Sequence, residues 1–420
     1  MFSGNKLILL KFLLVFFILY DINFKFLPGF TSGRISFVVV LIYFLFKWIR
    51  SGATFSRFFL NENSWYFYLL IVVIIIAFLQ FLSSNDITQV ARLFYFTIYG
   101  IITPLILAKI FKKSNDFLLI VGISVLLQSF ITLGSYLIPS IKILLNNLVL
   151  YNANFDASNN TRALGFVSVA GAAFSLIQFT GIFSILTYLN LNHVKWQLKI
   201  LLNISILIIL ISTLFIGRTG LFLSILVLLL FFVFNKFSIK KVILGILSFV
   251  LILQLNFEKV LDSITKDIDG YNSELFIAWI QSGFRLNNDL VEGLNEMPIP
   301  PLTYQTLIGT GLVVGPNGEG NASGHDTGYI QTYYSMGLII AFVFYLSYFY
   351  YLFIKVRKNK FNLSYLLLFI LVLVESKEFF IFSYAFPFFV FSYILIVKKE
   401  TKQNEIFSCK NVESTIIKLK

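Results

Sequence analysis

LLNISILIILISTLFI (residues 201–216) and LFLSILVLLLFFVF (residues 221–234) run uncharged on either side of the short connection Gly217-Arg218-Thr219-Gly220. With its flanks, each run approaches the roughly 20 apolar residues that an α-helix needs to cross the hydrocarbon of a bilayer. Leu69 to Leu82 reads the same way. A chain of 420 residues that is 58% hydrophobic, 18% aromatic and only 13% charged has the composition of a polytopic membrane protein. Its core is then a helix bundle in lipid.

The formal charge of +13 would point to a nucleic-acid partner if the basic residues lined a soluble face. They sit instead between apolar segments and read as topology signals, so no nucleic acid is expected. Cys409 is the single cysteine, which excludes a disulfide framework and a cysteine metal site. The N-terminal Leu/Phe run after Lys6 and Lys11 lacks a small-residue cleavage site and is read as an uncleaved first span.

Working outward from residues 201–234, a window of about 19 residues marks about twelve spans. They centre on 7–22, 35–48, 65–83, 90–110, 116–138, 163–190, 198–216, 219–235, 241–256, 328–354, 361–375 and 378–397. The expected fold is therefore an all-α polytopic integral membrane protein with four parts. Residues 1–256 hold the first nine transmembrane spans, 257–327 a long extracytoplasmic loop, 328–397 the last three spans, and 398–420 a tail.

The connections alternate in basic content. One set carries Lys47/Arg50/Arg57, Lys109/Lys112/Lys113, Lys195/Lys199, Lys236/Lys240/Lys241 and Lys355/Arg357/Lys358/Lys360, and the tail adds Lys398, Lys399 and Lys402. By the positive-inside rule that set, and with it both termini, is cytoplasmic. The other side is poor in lysine but holds Arg92, Arg162, Arg218 and Arg285. Lysine suffices as an anchor, whereas arginine offers a planar fork of donors that matches phosphate and carboxylate.

Two outward connections are long: 138–162, rich in asparagine, and 257–327. In the second, Val260/Leu261/Ile264/Ile268 and Phe276/Trp279/Ile280/Phe284 recur at helical spacing and predict two short amphipathic helices. Pro298, Pro300 and Pro301 then break the pattern, and LIGTGLVVGPNGEGNASGHDTGYIQTYYSMG follows over residues 307–337.

Four places could carry chemistry. Arg218 is held at the membrane boundary or partly within it by a connection too short to be a free loop, and a cation costs about 2.5 kcal/mol or more at mid-bilayer and less near the surface, so it needs a partner or an anionic ligand. Arg162 and Arg285 lie on the same predicted side, with Arg92 as a further candidate near the start of its span. His325, between Gly324 and Asp326, is one of only two histidines, and imidazole suits a general base that takes a proton from a sugar hydroxyl. Glu375 and Lys377 stand between hydrophobic runs, where a mutually neutralising turn is the plain reading. Acidic residues are too sparse on the outer side for a divalent-metal site, and no metal or cofactor is expected.

On these residues the chain resembles the O-antigen and capsular polysaccharide polymerases (the Wzy class) and, more distantly, the O-antigen ligases. The resemblance rests on Arg162-x-x-Gly165-Phe166, the Gly217-Arg218-Thr219-Gly220 turn and the long late loop. It rests also on Leu307-Ile308-Gly309-Thr310-Gly311 leading to Gly324-His325-Asp326, and on Glu375 to Phe380. It implies metal-independent glycosyl transfer at the outer face of the bacterial cytoplasmic (inner) membrane. Donor and acceptor would be undecaprenyl-pyrophosphate-linked oligosaccharides, with membrane lipids and a chain-length regulator as further partners. Arg218 and Arg285 would bind pyrophosphate with Arg162 in support, His325 would act as base, and Arg92, Asp326, Glu375 and Lys377 would be additional contacts. A ligase and a lipid-linked oligosaccharide flippase are the alternatives, and the absence of a detectable two-fold repeat speaks against the second.

Overall fold

The structure is a computed structural model that describes residues 4–51, 64–151, 163–169, 171–234, 297–315, 320–357, 362–383 and 385–418. The described residues are mostly helical, and their only β-pairing is three isolated bridges. In order the helices are α1 (Gly4–Tyr20), α2 (Ser32–Ser51), α3 (Ser64–Ser84), α4 (Thr88–Tyr95), α5 (Thr103–Ile110), α6 (Ser114–Leu137), α7 (Pro139–Leu148), α8 (Gly171–Leu191), α9 (Trp196–Ile216) and α10 (Arg218–Phe234). After the described chain resumes come α11 (Tyr304–Ile308), α12 (Gly328–Met336), α13 (Leu338–Arg357), α14 (Asn362–Glu375) and α15 (Ala385–Lys418).

Among the described residues, seven helices are long and apolar enough to cross a membrane: Ser32–Arg50, Ser64–Ser84, Thr88–Ile110, Ser114–Leu137, Gly171–Leu191, Trp196–Ile216 and Leu338–Val356. Three shorter apolar helices, Ile8–Tyr20, Arg218–Phe231 and Leu363–Glu375, fall at other expected spans. The expected span at 241–256 and the amphipathic helices of the long loop lie outside the described residues.

Four expected spans differ in detail. The one read over 378–397 starts only at Ala385, and its helix, α15, runs on to Lys418 through the residues read as a tail. The span read over 328–354 is two helices, because Gly337 adopts a positive φ of 88° between α12 and α13. The span read from 163 begins only at Gly171, and residues 163–169 are non-helical. Thr88–Ile110 is continuous but passes through a π-helical stretch, Phe96–Ile102, just before Pro104. Proline lacks an N–H and its ring crowds the carbonyl four residues back, and the wider π turn moves that carbonyl aside.

The chain forms two compact units, residues 1–36 with 117–288 and residues 37–116 with 289–420. In the first unit α8 is the central helix, buried along nearly its whole length and packed on α9 and α10. Its Gly181 lets Val125 of α6 sit where a Cβ would stand, and Gly122 of α6 does the same for Ile185. The non-helical 163–168 segment is tied in at both ends. The Ala163 N–H donates to Phe215 O (2.9 Å), and Ser168 Oγ donates to Asp21 O (2.9 Å).

In the second unit the Thr88–Ile110 span packs against α15. At one end of that span three of the basic clusters meet. Lys47 Nζ lies 3.4 Å from Lys109 O, and Lys399 Nζ donates to Ala108 O (2.8 Å) and Phe111 O (3.3 Å), capping the end of α5. Glu400 completes the joint by accepting from Ser114 N–H and Oγ (3.0 and 2.6 Å). The 23-residue span is roughly 35 Å long at 1.5 Å per residue, so its other end lies a membrane's thickness away.

Candidate functional site

That other end is where the glycine-rich stretch is held. Gln80, buried near the end of α3, donates from Nε2 to Ile308 O (2.7 Å) and Met336 O (3.1 Å), two carbonyls that helices α11 and α12 leave without internal partners. Gly309 (φ 105°) and Gly337 (φ 88°) press backbone to backbone, and a Cβ on either would overlap the other strand of the contact. Thr310 and Gly311 donate their N–H groups to Tyr334 O (3.1 Å) and Ser335 O (2.9 Å), which caps the end of α12.

Asp86, in the connection between α3 and α4, clamps the next residues. Its Oδ2 accepts from the N–H of Val313 (2.7 Å) and Val314 (3.1 Å), and its Oδ1 from Thr88 N–H (2.9 Å). Burial pushes this carboxyl up, but the hydrogen bonds from Thr88, Val313 and Val314 together outweigh it, and its pKa lies below the ordinary carboxylate value. Val314 bridges to Asn321, and Ala322 N–H returns to Val313 O (3.0 Å).

Asn321 Oδ1 and Ser323 Oγ accept the backbone N–H of His325 at 3.3 and 3.2 Å. The His325 side chain is buried, at 5% exposure. Its Nδ1 accepts from the backbone N–H of Thr327 at 3.1 Å, and Thr327 Oγ1 lies at the same distance from the same nitrogen. Among the described residues Nε2 takes part in no hydrogen bond. Thr327 is the N-cap position of α12, so the ring is folded onto the first turn of the helix it precedes. Asp326 is exposed, and among the described residues only its backbone carbonyl is engaged, by Gln331 (2.9 Å).

Helix α12 is seated on Glu375. A Cβ on Gly328 would overlap the Glu375 carboxylate, so glycine at this position permits the approach. Glu375 is fully buried at the end of α14. Its Oε2 accepts from the N–H of Phe380 (2.9 Å) and Ile381 (2.8 Å), and its Oε1 from Tyr345 Oη (2.7 Å). Tyr345 Oη also lies 2.8 Å from Thr332 Oγ1 on α12. The carboxylate thus joins α12, α13, α14 and the turn before α15, a richer role than the neutralising turn expected. Lys377 is exposed in that turn.

Arg92 belongs to the same neighbourhood. Its guanidinium stacks over the Phe379 ring, 4.1 Å from the centroid, and feels the charges of Asp86 and Glu375. Among the described residues it makes no hydrogen bond and has no carboxylate at ion-pair distance. The oxygens of both nearby carboxylates are already engaged, those of Asp86 by backbone N–H groups and those of Glu375 by two backbone N–H groups and the Tyr345 hydroxyl. One turn earlier on α4, Gln89 is 1% exposed, and neither its Oε1 nor its Nε2 has a partner.

Arg218 is in the other unit. It is the half-buried first residue of α10, separated from α9 by Gly217 alone. Gly220 fits where a Cβ would overlap Ser175 O, and Ser175 Oγ accepts its N–H (3.0 Å). Arg162 and Arg285 lie outside the described residues.

The structure therefore gathers His325, Asp326, Glu375, Lys377 and Arg92 in one unit. Sequence reading passed over Gln80, Asp86, Gln89 and Tyr345. The available signal was the isolated Ser84-Asn85-Asp86 polar break between apolar runs and two glutamines inside or beside spans. Among the described residues no three of His, Cys, Asp and Glu gather as metal ligands. Compared with known proteins, the chain matches no family model, no curated protein and no solved structure.

Proposed function

We propose that this protein polymerises lipid-linked oligosaccharide repeat units, by metal-independent glycosyl transfer at the outer face of a bacterial cytoplasmic membrane. In this reading it has about twelve spans with both termini cytoplasmic. The observation that carries it is on α4. Arg92 and Gln89 sit three residues apart, so on one helix face, and neither side chain has a hydrogen-bond partner among the described residues. A half-buried guanidinium and a buried amide left without hydrogen-bond partners are costly unless a ligand uses them, and a guanidinium fork matches a phosphate. They stand at the end of the Thr88–Ile110 span opposite the lysine cluster, the side that positive-inside reasoning assigns to the exterior.

In the reaction, the bond from the donor's anomeric carbon to the diphosphate oxygen breaks and its electron pair leaves with the diphosphate. The acceptor hydroxyl oxygen bonds that carbon, and the hydroxyl proton ends on the released diphosphate or on water. Diphosphate departs as an anion, so the protein's task is to aim cations at it and hold the acceptor. Arg92 serves the diphosphate in this reading, and the resemblance adds Arg218, Arg162 and Arg285 as diphosphate contacts. His325 contacts the substrate from the loop before α12.

The test is to incubate the purified full chain with a defined polyprenyl-diphosphate-linked repeat unit and resolve the products by size. A ladder is expected. One transfer to a lipid core would make the protein a ligase, and flipping without transfer a carrier; either result overturns the reading. Arg92→Ala is expected to lower elongation by roughly 100-fold or more, as loss of a charge-assisted contact in a desolvated site does. An epitope placed near Asn287 is expected outside, and a cytoplasmic location would overturn the topology.

A further inference from the structure

His325 was expected from its sequence to be the base that removes the acceptor's proton. The hydrogen bond at its Nδ1 argues otherwise. A backbone N–H can only donate, so the nitrogen that receives the Thr327 N–H at 3.1 Å presents a lone pair. A neutral imidazole has one proton, and it must then be on Nε2. The arrangement is not a loose one. The loop that carries the ring is pinned by Asn321 and Ser323 on the His325 N–H, and upstream by Asp86 on Val313 and Val314. The lone pair that a base would use is covered by Thr327, and the nitrogen left for a ligand carries a hydrogen.

We propose that His325 is a hydrogen-bond donor, through Nε2–H, to an anionic oxygen of the substrate's diphosphate, and does not take the acceptor's proton. The identity of the ligand rests on the functional reading above; the tautomer does not. The anion is favoured over a neutral sugar oxygen because a cation of this unit, Arg92, senses the Glu375 carboxylate on which Gly328, three residues after His325, is seated. A neutral donor that shares an anionic ligand with a guanidinium adds a directed contact to a diffuse charge, which is how a diphosphate is both attracted and oriented. The contact neither adds nor removes a proton.

The chain's two histidines, His193 and His325, make a direct test practical. Full-length protein labelled with 15N only in histidine gives two ring spin systems, assigned with His193→Gln. His325 is expected to show an unprotonated Nδ1 and a protonated Nε2, and inorganic diphosphate is expected to shift the Nε2–H signal. A protonated Nδ1, or a His325 ring indifferent to diphosphate, overturns the proposal whether or not the protein polymerises anything.

Elongation supplies the second arm. Glutamine places an amide N–H near the position of Nε2 but cannot act as a base. His325→Ala is expected to cost roughly 10- to 100-fold, the worth of a hydrogen bond to an ionised group, and His325→Gln to recover most of it. Equal loss in both variants, with wild-type amounts in the membrane, restores the base and overturns the donor. If wild-type protein makes no ladder, the functional reading fails while the NMR result still decides the tautomer.

Discussion

Two glycine-marked breaks, one in each unit, use the same residue for different physical ends. At Gly217 to Gly220 the backbone is ordinary: Gly217 is extended, at φ −176°. Glycine is there for space, because α10 starts so close to α8 that the Ser175 carbonyl occupies the Cβ position of Gly220. At Gly309 and Gly337 both needs coincide. Their φ values of 105° and 88° belong to a region that side chains avoid, and backbone atoms of the opposing segment fill the Cβ position as well. The first break sets a helix next to a helix, and the second shapes a loop whose hydrogen bonds go to distant residues. The short turn is held by close packing and one hydrogen bond to Ser175, whereas the glycine-rich loop combines positive-φ glycines with anchors from Gln80 and Asp86.

The largest effect expected on this contrast is at Gly337. Gly337→Ala must pay for a positive φ and displace the Ile308–Gly309 backbone, roughly 3 kcal/mol or more together. Thermal unfolding in detergent is expected to fall sharply, with protease sensitivity appearing near His325. A variant that melts like wild type would show that the two segments separate at little cost. Gly220→Ala comes next, at roughly 1–3 kcal/mol, since only overpacking is involved. Its unfolding is expected to shift without new cleavage near His325, and the opposite pattern would erase the distinction between the breaks.

The smallest effect concerns the anchoring of the loop, and it depends on pH. The Asp86 carboxyl is held below the usual carboxylate value, so its contribution to stability is complete above that value and is lost as pH falls through the lowered one. Asp86→Asn keeps one acceptor oxygen but loses the charge. The wild-type chain is expected to melt above the variant at neutral pH, with the gap closing as the medium becomes acid. A gap that persists or widens in acid would mean that Val313 and Val314 do not depend on the ionised carboxylate.

Much of the helical framework was legible in the sequence because apolar length is a local property. The runs at 65–83, 198–216 and 219–235 became α3, α9 and α10 with nearly the expected bounds. The split at Gly337 was not legible, because nothing local in YSMGLII requires a break. Its cause is Ile308 on another segment. For the site, the outcome was a reordering. Arg92 had looked like the weakest of the outer arginines, and Glu375 like a turn residue. Stacking on Phe379 and the absence of any hydrogen bond among the described residues mark the first, and three buried hydrogen bonds mark the second.

By itself the sequence determined that this chain is helical and apolar enough, over several long runs, to cross a membrane. Composition and run length are enough for that, since the cost of placing a charge in hydrocarbon acts residue by residue. Only the tertiary structure decided which polar groups are spoken for. Gln80 meets Ile308 across 228 residues, Asp86 reaches Val313 across 227, and Thr327 covers one nitrogen of His325 and leaves the other. Hydrogen bonds are satisfied in space and not along the chain. The nitrogen of the histidine that Thr327 covers, and an arginine with no hydrogen bond among the described residues, therefore became visible only once the helices were packed.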